Sequence, residues 1–155
     1  SGLANDNIRA LYPALDGTVW VGTDGGLSRL LADGNWEHYT PGDPFGDGLD
    51  GIQSIAVDAN GALWAGTGNN GAWRLFEGEW QQFDGPSLLS GAAPNLDGGI
   101  WFGSYYSGAW YFDGNDVEAY EAKDGLIHPN VNDIYVDGAG TIWFATSGGV
   151  SRYVP

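Results

Sequence analysis

Twenty carboxylates, two histidines and no cysteine set the chemistry this chain has to hand. Without thiols it has neither a disulfide framework nor a thiolate nucleophile. His38 and His128 do not fall at the paired spacing of a zinc site, and neither a G-x-S-x-G elbow nor a P-loop occurs. Carboxylates are so plentiful that no acid/base pair stands out. The loop P-G-D-P-F-G-D-G-L-D-G at 41–51 presents Asp43, Asp47 and Asp50, oxygen ligands of the kind calcium takes. Their spacing is not that of an EF-hand, and the same residues are turn formers, so we expect no metal. The loop also spells G-x-G-x-x-G. A strand follows it rather than a helix, and its Asp side chains repel phosphate, so dinucleotide binding is rejected. We therefore expect neither a cofactor nor a catalytic residue. The residues suited to hold a ligand without reacting with it are Arg9, Gln53, Asn69, Asn70, Tyr105, Tyr106, His128 and Asn132.

The elements that position these residues come from an internal repeat. D-G-T-V-W-V-G-T at 16–23 recurs as N-G-A-L-W-A-G-T at 60–67, D-G-G-I-W-F-G-S at 97–104 and A-G-T-I-W-F-A-T at 139–146. The anchor tryptophans Trp20, Trp64, Trp101 and Trp143 are spaced by 44, 37 and 42 residues, which suits propeller blades of four strands. Twelve residues before each anchor stand Ile8, Ile52, Leu89 and Val131, all aliphatic. One position further on stand Arg9, Gln53, Ser90 and Asn132, all polar.

Each copy reads as strand, Gly turn, strand, turn, strand. First strands end near Tyr12, Val57, Pro94 and Val136, and second strands hold the anchors. Third strands are expected over 27–31, 72–76, 109–112 and 150–154, and fourth strands over 36–40, 80–83 and 117–120. Asn70-Gly71 supplies a hairpin signal between the second and third strands of the second copy. The fold expected is all-β, one propeller domain over 1–155, with blades at about 3–40, 49–84, 87–121 and 128–155 and the last lacking its outer strand. Stacked blades bury the tryptophan layer between neighbours, so all four anchors are expected to be structural and buried rather than a ligand cage.

In such a propeller the turn between strands two and three shares one face with the blade-to-blade loops. That face collects the polar row Arg9, Gln53, Ser90 and Asn132, the turn residues Asp24, Asn69, Asn70, Tyr105, Tyr106 and Ser147, and the loop residues His128 and Asn130. Tyr105-Tyr106 occupies a turn where the other copies place Asp-Gly, Gly-Asn or Ser-Gly. Such a pair stacks on a sugar ring or partner side chain, or packs on a neighbouring loop.

Charge narrows the partners. The formal net charge is −15 with only five Lys and Arg, which excludes nucleic acid and argues against an anionic membrane surface. No apolar run approaches a membrane-spanning length, and no signal peptide is visible. The opening Ser1-Gly2 and the absence of methionine point to a processed or engineered piece of something longer.

W-V-G-T-D-G-G-L-S-R-L at 20–30, preceded by G-L-A-N-D-N-I-R-A-L at 2–11, resembles the two-component regulator propeller repeat, as does W-F-A-T-S-G-G-V-S-R-Y at 143–153. The second and third copies depart from it by one extra turn residue and read G-A-W-R-L and G-A-W-Y-F. The resemblance implies an extracellular or periplasmic sensor-type propeller, with glycans among the ligands sensed and no shared catalytic residues. The core D-G-x-x-W-F-x-T is similar, less closely, to virginiamycin B lyase propellers, but no catalytic His and Glu pattern accompanies it. The function expected is a non-catalytic module that binds a small molecule, glycan or protein on its turn face. The alternatives are a structural propeller piece that self-associates into a closed ring, as a homodimer of eight blades, and a polysaccharide lyase or hydrolase.

Overall fold

β-branched and aromatic residues alternate with Gly-containing turns along the chain, and the computed structural model forms strands wherever they do. It describes residues 2–40 and 51–155. Asp43, Asp47 and Asp50 lie outside the described residues. Four antiparallel sheets follow one another, each a blade. Blade one is β1 (Ile8–Pro13), β2 (Val19–Thr23), β3 (Gly26–Leu30) and β4 (Trp36–Tyr39). Blade two is β5 (Ile52–Val57), β6 (Leu63–Thr67), β7 (Ala72–Phe76) and β8 (Glu79–Phe83). Blade three is β9 (Leu89–Pro94), β10 (Ile100–Ser104), β11 (Ala109–Phe112) and β12 (Val117–Tyr120). Blade four has three strands: β13 (Val131–Val136), β14 (Ile142–Thr146) and β15 (Gly149–Tyr153). Apart from one 3-10 turn at Ala122–Asp124, the described residues form no helix.

The third strands of blades one and four begin one residue earlier than expected, at Gly26 and Gly149. Here the hairpin is a two-residue turn, and the pairs Thr23↔Gly26 and Thr146↔Gly149 close it. Both glycines hold φ near +130°, at 126° and 129°, which a side chain would strain.

The inner strands β1, β5, β9 and β13 pack in succession, and the anchors Trp20, Trp64 and Trp101 fill the seams to the next blade. Trp20 shares a buried cluster with Ile52 and Ile55, Trp64 with Leu89 and Phe102, and Trp101 with Val131 and Phe144. Close approach of the blades needs glycine two residues after the first three anchors, at Gly22, Gly66 and Gly103. A Cβ on Gly22 would lie 2.8 Å from Ile52 Cγ2, and one on Gly103 2.8 Å from Val131 Cγ1. Asp58 and Asp137, six residues before their anchors, cap the turn between first and second strands and accept the indole N–H of Trp64 (2.8 Å) and Trp143 (3.0 Å).

One expectation is corrected. Trp20, Trp64 and Trp101 are at most 6% exposed, but Trp143 is 38% exposed. β13 does not pack against β1 as the other inner strands pack together, so blade four presents its Trp face without a following blade. At the other end Ile8 and Leu11 are exposed, whereas their counterparts Ile52 and Ile55 are buried. Blade four also carries Ala145 where the other blades have Gly22, Gly66 and Gly103.

Candidate functional site

Arg9, Gln53 and Asn132 are polar because each is the extra residue of a β-bulge. Pairing in the inner strands skips from Ile8 to Ala10, from Ile52 to Ser54 and from Val131 to Asp133. β9 has the same irregularity between Leu89 and Ala92, which takes in Ser90. A bulged residue leaves the ladder and its side chain is re-aimed toward the rim of the sheet. Sequence reasoning found this polar position without the bulge that causes it.

The bulges share one end of the blades with the second turns. In every blade the residue four after the anchor donates its N–H to the residue just before the inner strand. These bonds are Asp24 to Asn7 (3.1 Å), Gly68 to Gly51 (3.1 Å), Tyr105 to Leu88 (3.2 Å) and Ser147 to Asn130 (3.0 Å). Two further bonds stitch neighbouring blades on this end: Leu88 N–H to Gly68 O, and Gly108 N–H to Pro129 O. The turn carrying Asn69 and Asn70, the turn carrying Tyr105 and Tyr106, and the loop carrying His128 and Asn130 therefore adjoin. Leu88, the residue between two of these turns, holds a left-handed φ of 56°, unusual for a branched side chain.

Within this face Arg9 grips Asp24 through both carboxylate oxygens, Nε to Oδ1 at 2.7 Å and Nη2 to Oδ2 at 3.2 Å. These bonds from Arg9, joined by one from Asn7, hold the Asp24 carboxyl below its ordinary range. His128 Nδ1 accepts the Asn130 N–H, and its Cβ sits close over Gly148. Asn70 is fixed through its backbone, its N–H on Thr67 Oγ1 and its carbonyl accepting from Gln82. Tyr105 is 40% and Tyr106 71% exposed, so the pair does not bury itself against a neighbouring loop.

The other histidine, His38, shares a hydrogen bond with Ser28 on an outer strand. Neither histidine pairs with a carboxylate among the described residues. The face offers hydrogen-bonding groups, one neutralised Arg–Asp pair and two open phenol rings.

Residues 125–148 match the family model described as two component regulator propeller. This segment, which takes in β13 and β14, is similar to a two-component regulator propeller repeat. A sequence search of curated proteins returns no match. Among solved structures this repeat chain is similar to the extracellular domain of a putative one component system from B. thetaiotaomicron, with TM-score 0.80 and 22% identity over 98% of the chain and 22% of that domain. The extracellular domain of a putative hybrid two component system of B. thetaiotaomicron gives TM-score 0.75 and 23% identity, over 97% of this chain and 20% of that one. A catalytically inactive virginiamycin B lyase from Staphylococcus aureus with quinupristin gives TM-score 0.76 and 19% identity, over 99% of this chain and 58% of the lyase. At these identities the likeness shows the propeller fold. The chain spans about a fifth of these two extracellular domains. No helix among the described residues is long and apolar enough to cross a membrane.

Proposed function

We propose that this chain is a non-catalytic, sensor-type propeller module, extracellular or periplasmic, that binds a small molecule, glycan or protein on the end of the blades carrying the bulges and second turns. The observation that carries the reading is the exposed Tyr105-Tyr106 pair, held at the centre of a backbone-stitched surface where a polar turn would suffice for folding. Amphipathic rings held open on a rigid turn bury large area at low entropic cost, and hydroxyl-rich ligands find polar partners in Asn69, Asn70, Gln53 and Asn132 around them. The extracellular neighbours support the location.

The test titrates a panel of oligosaccharides into isotope-labelled protein. A ligand that binds here shifts the amide resonances of Tyr105, Tyr106 and Asn69. Tyr105→Ala combined with Tyr106→Ala then weakens it by about tenfold or more, as loss of two stacking rings requires, without lowering the melting temperature. Unchanged affinity in the double variant overturns the site.

The open end blades favour a second reading, self-association. The Trp143 face and the Ile8–Leu11 face are the two halves of a seam built three times within the chain, and a second copy supplies each half to the other.

A further inference from the structure

Across the strand from each anchor tryptophan stands the same partner in three blades: Trp20↔Arg29, Trp64↔Arg74 and Trp143↔Arg152. Each guanidinium lies over its indole, at 4.9, 5.7 and 5.6 Å from the ring centroid. In blade one two carboxylates complete the arrangement, Asp16 at 3.4 Å and Glu37 at 3.6 Å from Arg29. Asp16 lies four residues before Trp20, and Glu37 is the cross-strand partner of Arg29.

Blade three keeps the tryptophan and both carboxylates and lacks the cation. Trp101 pairs with Tyr111, not an arginine, and Tyr111 pairs with Glu118. Asp97 stands four residues before Trp101, as Asp16 does before Trp20. A pocket of about 190 Å³ opens here, lined by Trp101, Tyr111, Tyr120, Tyr153, Asp97 and Glu118 among others. Glu118 pairs with no basic group among the described residues. The Trp101 indole N–H is buried without an acceptor; Asn95, which also lines the pocket, stands at the position of the Asp that takes this proton in blades two and four.

We propose that this pocket binds a guanidinium group from outside the chain, beside the Tyr111 ring that stands over Trp101 where Arg29, Arg74 and Arg152 stand over their tryptophans in the other blades. A planar cation lies against the aromatic rings of the pocket and pairs with Glu118 and with Asp97, which also accepts from the Tyr111 hydroxyl. A ligand with a carbonyl beside the cation, as an arginine residue has, also offers an acceptor to Trp101 Nε1. The charge of −15 draws such a cation in. The pocket lies at the β9–β10 turn, at the opposite end of β10 from Tyr105, so it is separate from the turn face.

The test uses N-acetyl-L-arginine methylamide as probe, its citrulline analogue as the uncharged control, and the Trp101 indole resonance with calorimetry as readouts. The arginine probe is expected to shift the Trp101 indole, and the citrulline analogue to bind about tenfold more weakly or worse, the loss of one desolvated cation–π and ion-pair contact. Tyr111→Arg restores the pattern of the other blades, fills the pocket from within and abolishes binding. Glu118→Gln, an exposed change that leaves folding intact, weakens the probe several-fold. Tyr105→Ala with Tyr106→Ala leaves it unaffected, which separates this site from the turn face. Equal binding of the citrulline analogue, undiminished binding by the Tyr111→Arg protein, or no response of Trp101 overturns the proposal.

Discussion

The four anchor tryptophans share a sequence environment and differ in what covers them. Trp64 is fully buried among Phe83, Phe102 and Phe112 and gives its N–H to Asp58. Trp64→Ala is expected to cost about 3–5 kcal/mol in urea denaturation, the range for deleting a large buried aromatic. Trp143→Ala, at the open end, is expected to cost about 1 kcal/mol, because its ring already meets solvent. Equal losses would mean that the end blade is covered in solution. Tyr111 shows the same dependence on surroundings. Burial, reinforced by the bond it donates to Asp97, pushes its phenol up to about 12. Burial alone would raise the Asp97 carboxyl, but that bond, with others from Gly99 and Asn95, outweighs it and holds the group below its ordinary range. A phenol raised in the folded state stabilises fully below its unfolded value near 10, and that contribution is lost as pH climbs from 10 to about 12. Tyr111→Phe should flatten the loss of stability over that alkaline window and raise the Asp97 titration observed by carbon NMR. An unchanged Asp97 titration would show that the bond does not form in solution.

At the scale of elements, the bulge and the glycine two residues after the first three anchors work together. The bulge turns one inner-strand residue outward, and the glycine lets the next inner strand come into contact. Gly103→Ala places a methyl against Val131 and Ser90 Oγ, at 2.8 and 2.9 Å, and should cost about 1–3 kcal/mol as overpacking does. Ala145→Gly, at the equivalent position facing no blade, should change thermal unfolding far less. A larger effect at 145 than at 103 would reverse the assignment of the open end. The strand pattern itself was legible from alternation and turn residues, with errors of one residue where a Gly-closed two-residue turn extended the third strand. The polar bulge position was legible as a type. That it is a bulge was not, because a bulge is defined by the register of a partner strand.

At the scale of the molecule, four blades make an open arc. A head-to-tail pair of chains would cover both end faces and form an eight-bladed ring, a closed heterologous assembly. Ala145 would hold the incoming Ile8 slightly further out than Ile52 sits on Gly22, so this seam would be looser than the internal ones. Light scattering at micromolar concentration should report twice the chain mass of 16.4 kDa. A monomer at every concentration would end this reading. The chain spans about a fifth of the two extracellular domains it resembles in fold, and further blades of the same type would cover such faces in another way.

The four-fold repeat determined the blade count, the strand order and the aromatic layer, because period-two alternation and Gly turns are local and the anchors recur in register. It also placed Arg9, Gln53, Asn70, Tyr105 and His128 at one end of the blades, since topology alone decides which turns share a face. The exchange of Arg for Tyr111 was likewise visible in G-A-W-R-L against G-A-W-Y-F, but its meaning was not. Only the tertiary structure set three guanidiniums over three indoles and left the fourth with its carboxylates and no cation. Only it exposed Trp143, because burial depends on the surface that arrives from a neighbouring blade, and no property of the residue or its own strand specifies that surface.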